Sequence, residues 1–126
     1  MDSIRVAILG YGNIGRAVEQ AVNAAPDMQL TGIFHHTDSL ESLDADVCVL
    51  CTPTREVPSF AKLLAERGIC TVDSFDIHGQ ILDYRAQLQP LTREQQWVSI
   101  VAAGWDPGSD SVVRALLLAM APQGLT

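Results

Sequence analysis

The residue types that could do chemistry here gather in three short stretches. Gly10-Tyr11-Gly12-Asn13-Ile14-Gly15 matches the spacing GxGxxG. Asp76 stands in the acidic corner Asp73-Ser74-Phe75-Asp76, and Asp106 in Gly104-Trp105-Asp106-Pro107-Gly108. Each chemistry follows from the residue types. Glycines at that spacing give a tight turn at Gly10, a backbone that a pyrophosphate can approach at Gly12, and close helix packing at Gly15. A helix that opens on such a turn points free amides at the phosphates. Two carboxylates near a bound nicotinamide would favour a cationic centre such as a substrate ammonium.

The elements that must position these residues alternate along the chain. Apolar runs of strand length cover 4–9, 30–34, 47–51, 69–72 and 97–102. Helical spacing covers 14–25, with Ile14, Ala17, Val18, Ala21 and Val22 on one face, and 57–67, with Phe60, Leu63 and Leu64. Gly68 supplies the stop of the second helix. Positions 81–96 read as helical with an interruption at Pro90, and 110–121 as the last helix. Strands that alternate with helices predict an α/β fold, a Rossmann-like open parallel sheet with helices on both faces. The interval from Asp38 to Asp46 is too short for the usual helix and strand; Leu40, Leu43 and Ala45 could supply about two helical turns, leaving the sheet one strand short.

Because the glycine pattern follows a strand and opens a helix, it reads as a dinucleotide site rather than a chance spacing. Ligands of such sheets bind beyond the carboxyl ends of the strands. Cys51, Thr52, Pro53 and Thr54 follow the third strand and would lie beside the nicotinamide. The second strand ends in His35-His36-Thr37-Asp38, with no acid at its tip. His35 and His36 either donate to a 2′-phosphate or are plain loop histidines; NADP(H) is favoured over NAD(H), with Asp38 the residue that argues the other way. Asp76 and Asp106 could each instead cap a following turn or helix.

Composition narrows the partners. The 126 residues fit one domain, a dinucleotide-binding unit over 1–126, with 48% hydrophobic residues and a formal net charge of −7. An acidic chain argues against nucleic acid and anionic membrane as partners. No secretory signal and no apolar run of bilayer length is visible, so a cytoplasmic setting is expected. Cys48 and Cys51 have CxxC spacing but lie in an apolar run, and Cys70 is the only other cysteine; they read as core thiols, and no metal site is expected.

Taken together, Gly10 to Gly15, the corner Pro26-Asp27-Met28, Thr71 to His78 and Gly104 to Gly108 resemble meso-diaminopimelate dehydrogenase, in the same order and along nearly the whole chain. Cys51 to Pro58 resembles one branch of that family. The resemblance implies NADP-dependent oxidative deamination of the D-centre of meso-2,6-diaminopimelate to L-2-amino-6-oxopimelate, the reverse reaction serving lysine biosynthesis. It implies that Asp76 and Asp106 contact the reacting amine, that Trp105 packs against substrate, and that Tyr11, Gly12, Asn13 and Ile14 hold the pyrophosphate. Two departures stand out. Family members usually carry arginines after the second strand, where this chain has His36 and Thr37. They also continue into a second domain that supplies much of the substrate site and the dimer contact. The expectation is therefore a nucleotide-binding domain, inactive alone, with an apolar patch near Trp105 and the last helix that could promote a homodimer. The alternatives are a non-catalytic NAD(P)-binding or sensing module, or another small Rossmann reductase.

Overall fold

A computed structural model describes residues 2–124. The chain forms β1 (Ile4–Leu9), α1 (Asn13–Ala24), β2 (Met28–Phe34), β3 (Val47–Leu50), α2 (Val57–Glu66), β4 (Cys70–Asp73), a 3-10 turn (His78–Gln80), α3 (Ile81–Gln95), β5 (Ser99–Ile100) and α4 (Ser109–Met120). All strand pairs are parallel, in the order β2-β1-β3-β4-β5. The chain winds one way from β1 to β2 and the other way from β3 to β5. Right-handed crossovers then put α1 on one face and α2 with α3 on the other. The reversal falls between β1 and β3, the place where a doubly wound sheet opens a crevice.

The larger core lies under α2 and α3. Ala7 and Leu9 of β1 and Cys48 and Leu50 of β3 pack there with Val57, Ala61, Leu64, Tyr84 and Leu88. The short connection after β2 plugs the same face. Leu40, Leu43 and Ala45 are buried, but the expected helical turns do not form. The Arg67 guanidinium instead donates to the carbonyls of Leu40 (2.7 Å) and Leu43 (2.6 Å). The Leu40 carbonyl also accepts from the Leu43 N–H (3.1 Å) in a single turn, so these carbonyls are satisfied without a helix.

Two further expectations need correction. Pro90 does not interrupt α3, which runs unbroken through it. Tyr84 and Leu88 face the core one turn apart, while Ala86 and Pro90 are exposed. The carbonyl that loses its partner to proline is therefore open to solvent, which keeps the cost tolerable. The last strand is two residues long rather than six, because left-handed residues bound it: Gln96 at φ 58° and Ala102 at φ 56°.

The cysteines are free thiols. Burial pushes Cys48 up to about 12 and Cys51 up to about 11. A raised folded value holds the neutral thiol, so this stabilisation is complete below the unfolded value and is lost as pH climbs through the folded one. Urea unfolding should accordingly show stability falling from about pH 9 upward, by up to about 1.4 kcal/mol per pH unit for each thiol. Cys48→Ala should flatten that slope.

Candidate dinucleotide and substrate edge

The glycine turn is shaped by contacts that no side chain could share. Gly10 has φ +97°, and a Cβ there would lie 2.5 Å from the Cys51 carbonyl oxygen and 2.8 Å from the Thr52 amide nitrogen. At Gly15 a Cβ would run into the Gly10 carbonyl, so α1 can sit close on the turn only with glycine there. Gly12 is different, since nothing lies within 4 Å of its Cβ position. Its backbone faces open space, as a passing pyrophosphate requires. The start of α1 has no side-chain cap and no acid in its first turn. Its amides, Asn13 and Ile14 among them, are left for an anion.

Around this turn the tip of β2 closes in. The Tyr11 hydroxyl donates to Glu19, which holds the phenol above its ordinary value. The Arg16 guanidinium sits 5.5 Å from the centre of the Tyr11 ring. The His35 ring meets the same ring edge-on, 6.3 Å between centres at 88°. His35 N–H donates to Asp38 Oδ2 (2.7 Å), and Asp38 N–H donates back to the His35 carbonyl (3.0 Å). Asp38 thus closes its own turn. His36 is exposed.

A cleft of about 330 Å³ lies beside α1, lined by Ile14, Val18, Cys51, Ser74, Gly104 and Trp105 among others but not by Asp76 or Asp106. It brings three of the sequence-predicted stretches to one place. The hydroxyl of Thr52, the residue after Cys51, is buried without a partner. Pro53 is exposed, and Thr54 faces a second opening of about 470 Å³ at the start of α2. Thr54 Oγ1 accepts from the Asp76 N–H (3.1 Å), which links the loops after β3 and β4. Residues and space fit a dinucleotide laid across this edge: an uncapped helix start, an open Gly12 and an orphaned hydroxyl at Thr52.

Neither predicted acid is a cap. The 3-10 turn after Asp76 and the helix after Asp106 carry no side-chain cap from them. Asp76 is exposed. Asp106 Oδ1 lies 2.9 Å from His78 Nε2 and Oδ2 lies 3.3 Å from Arg114 Nη2, while Arg114 Nε reaches Asp110 at 3.1 Å. His78 therefore ties the loop that carries Asp76 to the loop that carries Asp106. Trp105 stands beside them with 66% of its surface exposed.

Asp73, read from the sequence only as part of an acidic corner, is the hub of this edge. It is 3% exposed. Its Oδ1 accepts from the N–H groups of Phe75 (2.9 Å) and Ala102 (3.0 Å), and its Oδ2 from the Tyr84 hydroxyl (2.6 Å). Its carbonyl accepts from Ala103 N–H (2.8 Å). Burial and then the bond to Asp73 push the Tyr84 phenol up. The loop bearing Asp76 starts at this residue, and the loop bearing Asp106 is fastened to it through the amides of Ala102 and Ala103. Its sequence signal is slight: an acid closing a strand, with a tyrosine one helix entry later.

The expected apolar patch is present. Among the described residues α4 buries none of its side chains, and Val112, Leu116, Leu117 and Met120 are exposed alongside Trp105. Among the described residues no helix is long and apolar enough to cross a membrane.

Comparison with known proteins agrees with this geometry. No family model matches the chain. The meso-diaminopimelate D-dehydrogenase of Bacteroides fragilis is 46% identical over 142 aligned positions, covering all of this chain and 48% of that protein. An engineered D-amino acid dehydrogenase bound to NADP+ superposes with a TM-score of 0.70 at 34% identity, over 94% of this chain and 41% of that one. The Corynebacterium glutamicum diaminopimelate dehydrogenase in complex with diaminopimelate gives a TM-score of 0.70 at 34% identity, over 95% and 42%. The chain spans about half the length of the curated relatives it matches. Sequence and fold together make it a relative of the meso-diaminopimelate D-dehydrogenases, matched along the whole of its own length.

Proposed function

We propose that this chain is the dinucleotide-binding domain of an NADP-dependent meso-diaminopimelate dehydrogenase, inactive alone, working in the cytoplasm as part of a homodimer. The observation that carries the reading is the cleft that joins Ile14 of the glycine turn, Cys51 at the end of β3 and Trp105 beside Asp106. A nicotinamide dinucleotide held by these residues would supply a hydride acceptor for the D-centre carbon of the substrate. The chain's own residues do the rest of the positioning. Gly12 and the amides of Asn13 and Ile14 take the pyrophosphate. The Thr52 hydroxyl meets a polar group of the nicotinamide end, and Trp105 packs against the substrate's carbon skeleton.

Asp76 and Asp106 hold the substrate ammonium and shuttle its protons as the amine is oxidised and water releases ammonia. Asp106 Oδ2 accepts from Arg114 (3.3 Å), while Oδ1, 2.9 Å from His78 Nε2, is buried without a hydrogen-bond partner. Asp76 is the freer of the two and is the better placed to move a proton.

The test is energy transfer from tryptophan to the reduced nicotinamide of NADPH in this 126-residue chain. Transfer is expected, and Trp105→Phe should remove most of it while Trp97 remains. Absence of transfer with both NADPH and NADH would overturn the reading. Ammonia release from meso-diaminopimelate by the chain alone would overturn its inactivity.

A further inference from the structure

Resting on the dinucleotide reading, we infer that Arg16, not an arginine after β2, is the residue that selects NADP(H), by pairing with the 2′-phosphate. The tip of β2 is where a Rossmann sheet places the adenine ribose, and an arginine nearby is what accommodates a 2′-phosphate. After β2 this chain offers His35, His36, Thr37 and Asp38. Arg16 comes to that tip from the other side. It follows Gly15 on α1, and the ring of Tyr11 carries it, with the guanidinium 5.5 Å from the ring centre. The same ring meets His35 edge-on. The Tyr11 ring therefore neighbours both Arg16 and His35, at one rim of the site.

The acids around this rim are occupied. Glu19 accepts from the Tyr11 hydroxyl, and Asp38 Oδ2 accepts from the His35 N–H. Among the described residues Arg5 pairs with Asp44 and Asp46, and Arg114 with Asp106 and Asp110, whereas Arg16 forms no ion pair. A guanidinium stacked on an aromatic ring keeps its edge donors free, and that fork matches a phosphate. His35 adds a second donor from the neighbouring loop. Asp38, folded into its turn, is held by a backbone amide rather than by the ribose.

Calorimetric titration of the whole chain with NADPH and with NADH tests this. The two ligands differ only at the 2′-phosphate. The wild-type chain should prefer NADPH. Arg16→Gln, which keeps helix propensity, should weaken NADPH by roughly 10- to 100-fold and leave NADH within about threefold. Retained NADH affinity shows that the variant is folded. Arg16→Lys, which keeps the charge without the fork, should fall between the two. Equal losses for both ligands would place Arg16 on the pyrophosphate and overturn the inference, as would unchanged NADPH affinity. Failure of the wild-type chain to bind either ligand would overturn the dinucleotide reading itself, and the inference with it.

Discussion

Asp73→Ala is expected to remove about 3–5 kcal/mol of stability, a large part of what a domain of this size has. The substitution leaves two backbone N–H groups and a tyrosine hydroxyl without their acceptor at a buried position. Tyr84→Phe removes one of the three donors and should cost about 1–2 kcal/mol. Urea unfolding at neutral pH reads both. The loss should reach function too, because Asp73 starts the loop bearing Asp76 and holds the amides of Ala102 and Ala103 in the loop bearing Asp106. A loss under about 1 kcal/mol for the alanine variant would mean that solvent replaces the carboxylate at little cost, and Asp73 would not be the hub described.

A pair of glycine substitutions should separate fold from binding. Gly10→Ala is expected to cost about 2–5 kcal/mol, from a left-handed conformation plus a clash with the Cys51–Thr52 peptide. The clashing atoms belong to backbone, so no flexible side chain can swing away. Gly12→Ala meets nothing within 4 Å and should leave the unfolding midpoint where it is. It should nevertheless weaken the dinucleotide by roughly 10-fold or more, since its methyl occupies the pyrophosphate's path. An unchanged affinity for Gly12→Ala would place the phosphates elsewhere.

Much of the frame was legible because it rests on periodicity. Apolar runs marked β1, β2, β3 and β4, and the spacing around Ile14 and Leu64 marked α1 and α2, since burial on a sheet demands those patterns. The missing strand was legible from the length of the interval after Phe34. What was not legible depends on distant partners. The sequence cannot show that Arg67 reaches the carbonyls of Leu40 and Leu43, where a single turn stands in place of the expected helical turns. Nor can it show that Pro90 faces solvent, which is why α3 runs on.

The site divides the same way. The glycine turn was readable as a strand-to-helix turn from its spacing, whereas the Cys51–Thr52 peptide that crowds Gly10 lies across the fold. Ile14, Cys51 and Trp105 were assigned to one site edge, and the cleft joins them. Asp73, His78, Arg16 and Arg114 were overlooked, since each acts through a contact across the fold. A lone acid or arginine in a sequence looks the same whether it is solvated or paired.

One irregularity in β2 bears on any attempt to redesign cofactor preference. Val6 pairs with Leu30, but the next residue, Ala7, pairs with Gly32, so Thr31 is an extra residue in the strand. In a regular strand Leu30 and Phe34 would point the same way. The extra residue shifts the phase, so that Leu30 shares the face of Val6 while Phe34 joins Leu9 over the larger core. Everything that follows, including His35 against Tyr11, inherits that phase. A transplanted loop from a relative that carries arginines must therefore bring its own strand irregularity or keep Thr31. Otherwise the grafted side chains arrive on the wrong side of the sheet, and the change of preference fails for a reason of parity rather than of charge.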